Sequence, residues 1–195
     1  MPPPLFKLCL LLSKRLCTRD PLSVVRDSVL YGVDCVQLRE KEMSSYEMFS
    51  WGKTLKNLTD ELRIPLIIND NVEVAVALGA QGVHLGQGDM SPIDARSLVG
   101  DDFWIGLSTH NLAQVDEAKQ LGVDYLGFGP LFSTTTKDYA EGLGVNLLSQ
   151  ALAMSTVPLV AIGGIGPENL SLIPAGCPIA VSSAICSNPN GFFAL

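Results

Sequence analysis

The chain has 195 residues, 47% of them apolar, and a mean hydropathy of +0.30, enough to bury the core of one domain and too apolar to stay disordered. Charged residues make up only 17% and the formal net charge is −7, which argues against a nucleic-acid partner because phosphate backbones demand clustered cations. The five cysteines, Cys9, Cys17, Cys35, Cys177 and Cys186, show no Cys-x-x-Cys spacing, so free thiols in a reducing, cytoplasmic setting are expected and not a zinc site.

At the N-terminus the apolar run from Phe6 to Leu12 follows Pro2, Pro3 and Pro4. It is far shorter than the roughly 20 residues that cross a bilayer. No small-residue cleavage site follows it, so it reads as a first strand and no membrane partner is expected. Strand-like runs recur at 8–12, 33–38, 65–68, 82–85, 103–107, 125–128, 157–162 and 178–181, separated by longer amphipathic stretches. Helix starts are signalled by Ser44, by Ser91-Pro92 and by Gly166-Pro167-Glu168, while Gly79, Gly100, Gly122 and Gly176 sit where C-caps belong.

No linker or low-complexity segment interrupts the series. Eight βα units in one run predict a single α/β domain over residues 1–195, a closed (β/α)8 TIM barrel and not an open doubly wound sheet, although that barrel usually takes ~250 residues. After the eighth strand only residues 186–195 remain. A shortened or absent last helix is therefore expected, and with it apolar surface near the first strand. A homo-oligomer, or local packing of Phe192 and Phe193, would cover that surface.

In a TIM barrel the chemistry lies at the C-terminal strand ends, and here those ends are polar. Alternation puts Gln37, Arg39 and Lys41 on one face of the second strand, with Val36 and Leu38 on the other. The apolar face packs outward on helices, so the polar one points into the barrel mouth. Asn69-Asp70 follow the third strand, His84 and Asp89 the fourth, Ser108 and His110 the fifth. Asp70 and Asp89 have the hard oxygen chemistry suited to Mg2+ carried in with a phosphorylated substrate. Each also has a plainer use: Asp70 as the cap of a helix beginning near Val72, Asp89 as turn chemistry before Ser91-Pro92. Gly163-Gly164 after the seventh strand and Ser182-Ser183 after the eighth occupy the frequent phosphate site of this fold. Thr134, Thr136 and Lys137 form a third anion-binding candidate. His84, inside an apolar strand, reads as a hydrogen-bonded core residue, and His110 as a ligand contact or a neighbour of a helix start.

Taken in order, Val36-Gln37-Leu38-Arg39-Glu40-Lys41, Ile67-Ile68-Asn69-Asp70, Gly82-Val83-His84-Leu85-Gly86-Gln87 with Asp89-Met90, Gly127-Phe128-Gly129-Pro130, Thr134 to Lys137 and Ala161-Ile162-Gly163-Gly164-Ile165 resemble the thiamin phosphate synthase family over nearly the whole chain. The resemblance implies a (β/α)8 barrel that condenses hydroxymethylpyrimidine pyrophosphate with a methylthiazole phosphate, releasing pyrophosphate. By matching motif, Gln37, Arg39, Lys41, Asn69, Ser108 and Lys137 would hold the pyrimidine and its pyrophosphate; Asp70 and Asp89 would hold Mg2+; Thr134, Thr136, Gly164, Ser182 and Ser183 would hold the thiazole phosphate. Within that set Arg39, Lys41, Ser108 and Lys137 would be catalytic. The chain departs from the family's pattern at Leu11-Leu12-Ser13-Lys14, Thr135 and Ser182.

The reaction needs no protein nucleophile but must exclude water, which makes the segment from Ser133 to Gly144 a lid with Gly142 and Gly144 free to flex. Two other functions use the same scaffold: a thiazole tautomerase with a histidine, such as His110, for proton transfer, and a noncatalytic barrel that binds thiamin phosphate.

Overall fold

The computed structural model describes residues 5–133 and 141–193. Eight parallel strands close a barrel in chain order: β1 Leu8–Leu12, β2 Cys35–Leu38, β3 Leu66–Asn69, β4 Gly82–Leu85, β5 Trp104–Thr109, β6 Tyr125–Phe128, β7 Leu159–Ile162 and β8 Ile179–Val181, with β8 pairing back onto β1. The strand signals in the sequence hold to within a few residues. The helices are α1 Pro21–Leu30, α2 Ser45–Leu62, α3 Val72–Leu78, α4 Pro92–Val99, α5 Leu112–Glu117, α6 Gly144–Met154, α7 Ser183–Ser187 and α8 Pro189–Phe193. No helix among the described residues is long and apolar enough to cross a membrane.

Local chemistry sets the helix ends. Ser44 caps α2 in a reciprocal box with Glu47, satisfying two of the backbone donors that every helix start leaves unpaired. Ser91 caps α4, with Pro92 in its first turn. Gly79 ends α3 in the left-handed region at φ 62°. The start expected at Gly166-Pro167-Glu168 does not become an α-helix: only a 3-10 turn, Leu170–Leu172, lies between β7 and β8. Asn169 is the reason. Its side chain accepts from the Gly166 amide at 3.0 Å and donates to the Gly164 carbonyl at 2.8 Å, which offers the backbone a turn in place of the helix ladder, and Pro174 then blocks any extension.

Two small helices, α7 and α8, follow β8. Phe192 on α8 is buried, and Phe193 stacks on Tyr31 at the end of α1, with centroids 5.1 Å apart and planes at 12°. Leu30 and Tyr31 at the end of α1 nonetheless stay 82% and 53% exposed, so the aromatic packing covers that surface only in part.

Strand parity divides the core in two. Leu10, Leu12, Val36, Leu38, Leu66, Ile68, Val83, Leu85, Ile105 and Leu107 face outward into the helical shell. Cys9, Leu11, Cys35, Ile67, Tyr125, Val160 and Ala180 face inward, and Phe6 closes the floor edge-on to Tyr125 at 5.4 Å. All five thiols are free.

Candidate active site

The next inward position on each strand lies one step nearer the C-terminal end, and there the barrel lining changes from apolar to polar or small, except on β7, where it stays apolar. Gln37 follows Cys35, Asn69 follows Ile67, Gly127 follows Tyr125, Ile162 follows Val160 and Ser182 follows Ala180; all five line one cavity at the barrel mouth, together with Arg39, His84, Ser108, His110, Gly163, Gly164 and Ser183. An apolar floor under a polar upper layer suits a ligand with several fixed hydrogen-bonding atoms.

Among the described residues Arg39 is the cation of this cavity, and burial lowers its pKa while the nearby Asp70 carboxylate acts in the opposite sense. A guanidinium remains charged under any such shift and can bind an oxyanion with two parallel N–H donors. Lys41 does not join it. The second strand ends at Leu38, so alternation no longer governs position 41, and Lys41 instead lines an adjoining groove with Asp70, Asn71 and Met90. The groove meets the main cavity at Asn69, which lines both.

Asp70 occupies the left-handed region at φ 66°, a conformation unusual outside glycine and one that strained functional positions often hold. It does not cap α3, because Asn71 does so by accepting from the Val74 amide at 2.9 Å. Burial, then a hydrogen bond and charge repulsion from Asp89, push the Asp70 carboxyl up from 3.8 to about 6, against the pull of Lys41 and Arg39. Asp89 serves its own turn as well, accepting from the Gly86 amide at 2.7 Å. Two carboxylates held in contact on neighbouring strand ends are a donor set that fits a hard divalent cation, whose charge would relieve their repulsion. Among the described residues no group of three or more His, Cys, Asp or Glu gathers to hold a metal; ligand or water oxygens would have to complete the shell.

After β7 the chain turns sharply through two glycines. Gly163 and Gly164 both have positive φ, 94° and 65°, and a Cβ on Gly164 would lie 2.6 Å from the Ser133 carbonyl. The strand-to-loop turn can be this tight only without a side chain. Phe132 donates to the Gly163 carbonyl at 3.1 Å and Leu131 to that of Ile162 at 2.9 Å, which ties the turn to the segment after β6. The Ser182 hydroxyl donates to the Leu11 carbonyl at 2.9 Å, so this side chain fastens β8 to β1.

A family model described as thiamine monophosphate synthase matches residues 8–185. The chain belongs to that family. It is 40% identical over 185 residues to the thiamine-phosphate synthase of Clostridium acetobutylicum, covering 93% of this chain and 88% of the relative. It is 44% identical over 172 residues to that of Albidiferax ferrireducens, covering 87% and 78%. The solved structure of thiamine phosphate pyrophosphorylase from Pyrococcus furiosus superposes with a TM-score of 0.84 at 32% identity, covering 97% of this chain and 91% of that one.

In this member of the thiamine monophosphate synthase family, Thr134, Thr136 and Lys137 lie outside the described residues. At Gly142, one of the two glycines expected to flex, a Cβ would lie 2.5 Å from the Phe132 Cα, and Leu143 donates to the Pro130 carbonyl at 2.8 Å. That glycine permits close backbone approach. His110 lines the cavity, and its Nδ1 donates to the Gly129 carbonyl at 2.6 Å.

Glu40 is the residue that the sequence reading passed over. It is buried, and its carboxylate accepts from the Ser13 hydroxyl at 3.2 Å and the Lys14 amide at 2.6 Å, fixing the stretch between Arg39 and Lys41 to the end of β1. The signal was its parity with Val36 and Leu38: a carboxylate on the outward, buried face must find partners.

Proposed function

We propose that this protein condenses hydroxymethylpyrimidine pyrophosphate with a methylthiazole phosphate at the barrel mouth, giving thiamin phosphate and pyrophosphate. One observation carries the reading: a single cavity has groups able to bind anions on two separate walls, Arg39 just past the end of β2 beside Gln37, and Gly163-Gly164 with Ser183 after β7 and β8. Two phosphorylated substrates meeting in one chamber need that arrangement.

In this reading Gln37, Asn69 and Ser108 orient the pyrimidine, Arg39 binds its pyrophosphate, and Lys41 approaches the same group from the adjoining groove. The Gly164 amide and the first amides of α7 receive the thiazole phosphate, and Thr134 and Thr136 would add hydroxyl donors. Breaking the pyrimidine CH2–O bond leaves a cation delocalised into the aminopyrimidine ring, which the thiazole nitrogen then captures. The barrier falls as charge on the departing pyrophosphate is met by Arg39 and Lys41, and Lys137 would add its charge to theirs. Asp70 and Asp89 would hold Mg2+, which when bound adds positive charge to the same leaving group.

The deciding assay mixes both substrates with Mg2+ and follows thiamin phosphate. Product formation that requires both substrates is expected. Isomerisation of the thiazole phosphate alone would make the protein a tautomerase, and tight binding of thiamin phosphate without turnover would make it a noncatalytic barrel.

A further inference from the structure

His84 sits where the floor of the barrel meets the cavity, and the neighbouring strands are shaped around its ring. A Cβ on Gly106 of β5 would meet the Tyr125 ring first and then His84 Nδ1 at 2.5 Å, and one on Gly127 of β6 would lie 3.1 Å from His84 Cε1. Two inward glycines on adjacent strands thus leave the space that the phenol and the imidazole fill together. The ring bridges two hydroxyls: Nδ1 is 3.0 Å from the Tyr125 hydroxyl and Nε2 is 2.9 Å from the Ser108 hydroxyl.

The direction of the protons in this chain follows from Tyr125. Its side chain is only 2% exposed, and a buried phenol must place its O–H on an acceptor. Nδ1 is within reach to accept it. In a neutral imidazole the other nitrogen then carries the proton, so Nε2 donates to Ser108. The serine oxygen receives that bond through a lone pair, which turns its own hydrogen away from His84 and toward the cavity it lines. Gln87 holds the same residue from its backbone side, donating through Nε2 to the Ser108 carbonyl at 2.7 Å.

We propose that Tyr125 and His84 are positioning residues, a relay that fixes Ser108 as a hydrogen-bond donor to an acceptor atom of the pyrimidine substrate. The inference rests on the assignment of Ser108 to that substrate. Neither Tyr125 nor His84 need touch the reacting atoms; their effect passes through one serine hydroxyl.

Two measurements test it. In 15N-histidine NMR of the substrate-free protein, His84 shows the neutral Nε2–H tautomer, and Tyr125→Phe converts it to a mixture. A His84 that carries its proton on Nδ1, or that ignores Tyr125→Phe, overturns the relay whatever the enzyme's activity. In steady-state kinetics, His84→Leu lowers kcat/KM for the pyrimidine pyrophosphate by about five- to tenfold, the range of one well-placed hydrogen bond, and leaves the KM for the thiazole phosphate unchanged. His84→Gln, which restores a donor toward Ser108, recovers most of the loss, whereas a purely structural role would favour leucine in this core. In a Ser108→Ala background His84→Leu adds nothing further; additive losses, or equal losses for both substrates, overturn the proposal. Absence of product from the parent protein would sink the proposed reaction, and the tautomer measurement would still decide the relay.

Discussion

Removing one of the paired carboxylates should make the metal-free protein more stable and the enzyme less active. Asp89→Asn keeps an oxygen to accept from the Gly86 amide but removes the charge that faces Asp70. Moving the Asp70 carboxyl from 3.8 to about 6 corresponds to about 3 kcal/mol between its two protonation states. Burial is the first cause and is unaffected by the substitution, and Asp70 is partly exposed, so solvent screening reduces the rest. About 1 kcal/mol remains for relief of the pair. In a protein of this length that is a rise in Tm of roughly 2–4 °C, measured in EDTA at pH 7.5. The sign follows from linkage: a carboxyl raised in the folded state holds its proton longer than in the unfolded chain. The parent therefore loses stability as pH climbs from about 4 to 6 and stays weakened above, a loss that Asp89→Asn reduces. With Mg2+ and both substrates, kcat of the variant should drop by roughly 10²–10³, as for other lost preorganised electrostatic groups. An unchanged or lower Tm in EDTA would show that the carboxylates do not repel, and full activity in EDTA would remove the metal from the reaction.

The two walls of the cavity should separate in binding. Arg39→Ala weakens pyrimidine pyrophosphate and spares the thiazole phosphate, whereas Gly164→Ala, at φ 65° and against the Ser133 carbonyl, does the reverse; calorimetric titration with each substrate alone would expose a wrong assignment if both variants affected the same ligand. Lys137→Ala should lower kcat and kcat/KM together, since its charge counts most as pyrophosphate departs; kinetics within twofold of the parent would return Lys137 to ordinary solvated surface. Glu40→Ala should cost about 2 kcal/mol in urea unfolding, by leaving the Lys14 amide and the Ser13 hydroxyl without their acceptor, and a loss below about 0.5 kcal/mol would mean that the β1–β2 tie contributes little.

The barrel was legible in the sequence because short apolar runs such as Leu8–Leu12 and Leu159–Ile162 recur between longer amphipathic stretches and its helices begin at strong local signals such as Ser44 and Ser91-Pro92, both of which act within one turn. Gln37, Arg39, Asn69, Ser108, Gly164 and Ser183 could be named from their places at strand ends, and the fold brings them to one cavity. Where a strand stops, local reading stops with it. Lys41 lies past the last ladder bond of β2, so its direction depends on a buried Glu40 bonded to Ser13 and Lys14, 26 or 27 residues earlier in the chain. Gly166-Pro167-Glu168 has the residues of a helix start, yet one asparagine side chain diverts the backbone. The raised carboxyl of Asp70 and the chain from Tyr125 through His84 to Ser108 each depend on groups on or just after three different strands, and no pattern along one strand encodes a distance across a closed barrel. Composition and periodicity decided which residues face inward, since that is a property of each strand alone; ring closure decided which of them touch, and so which charge meets which.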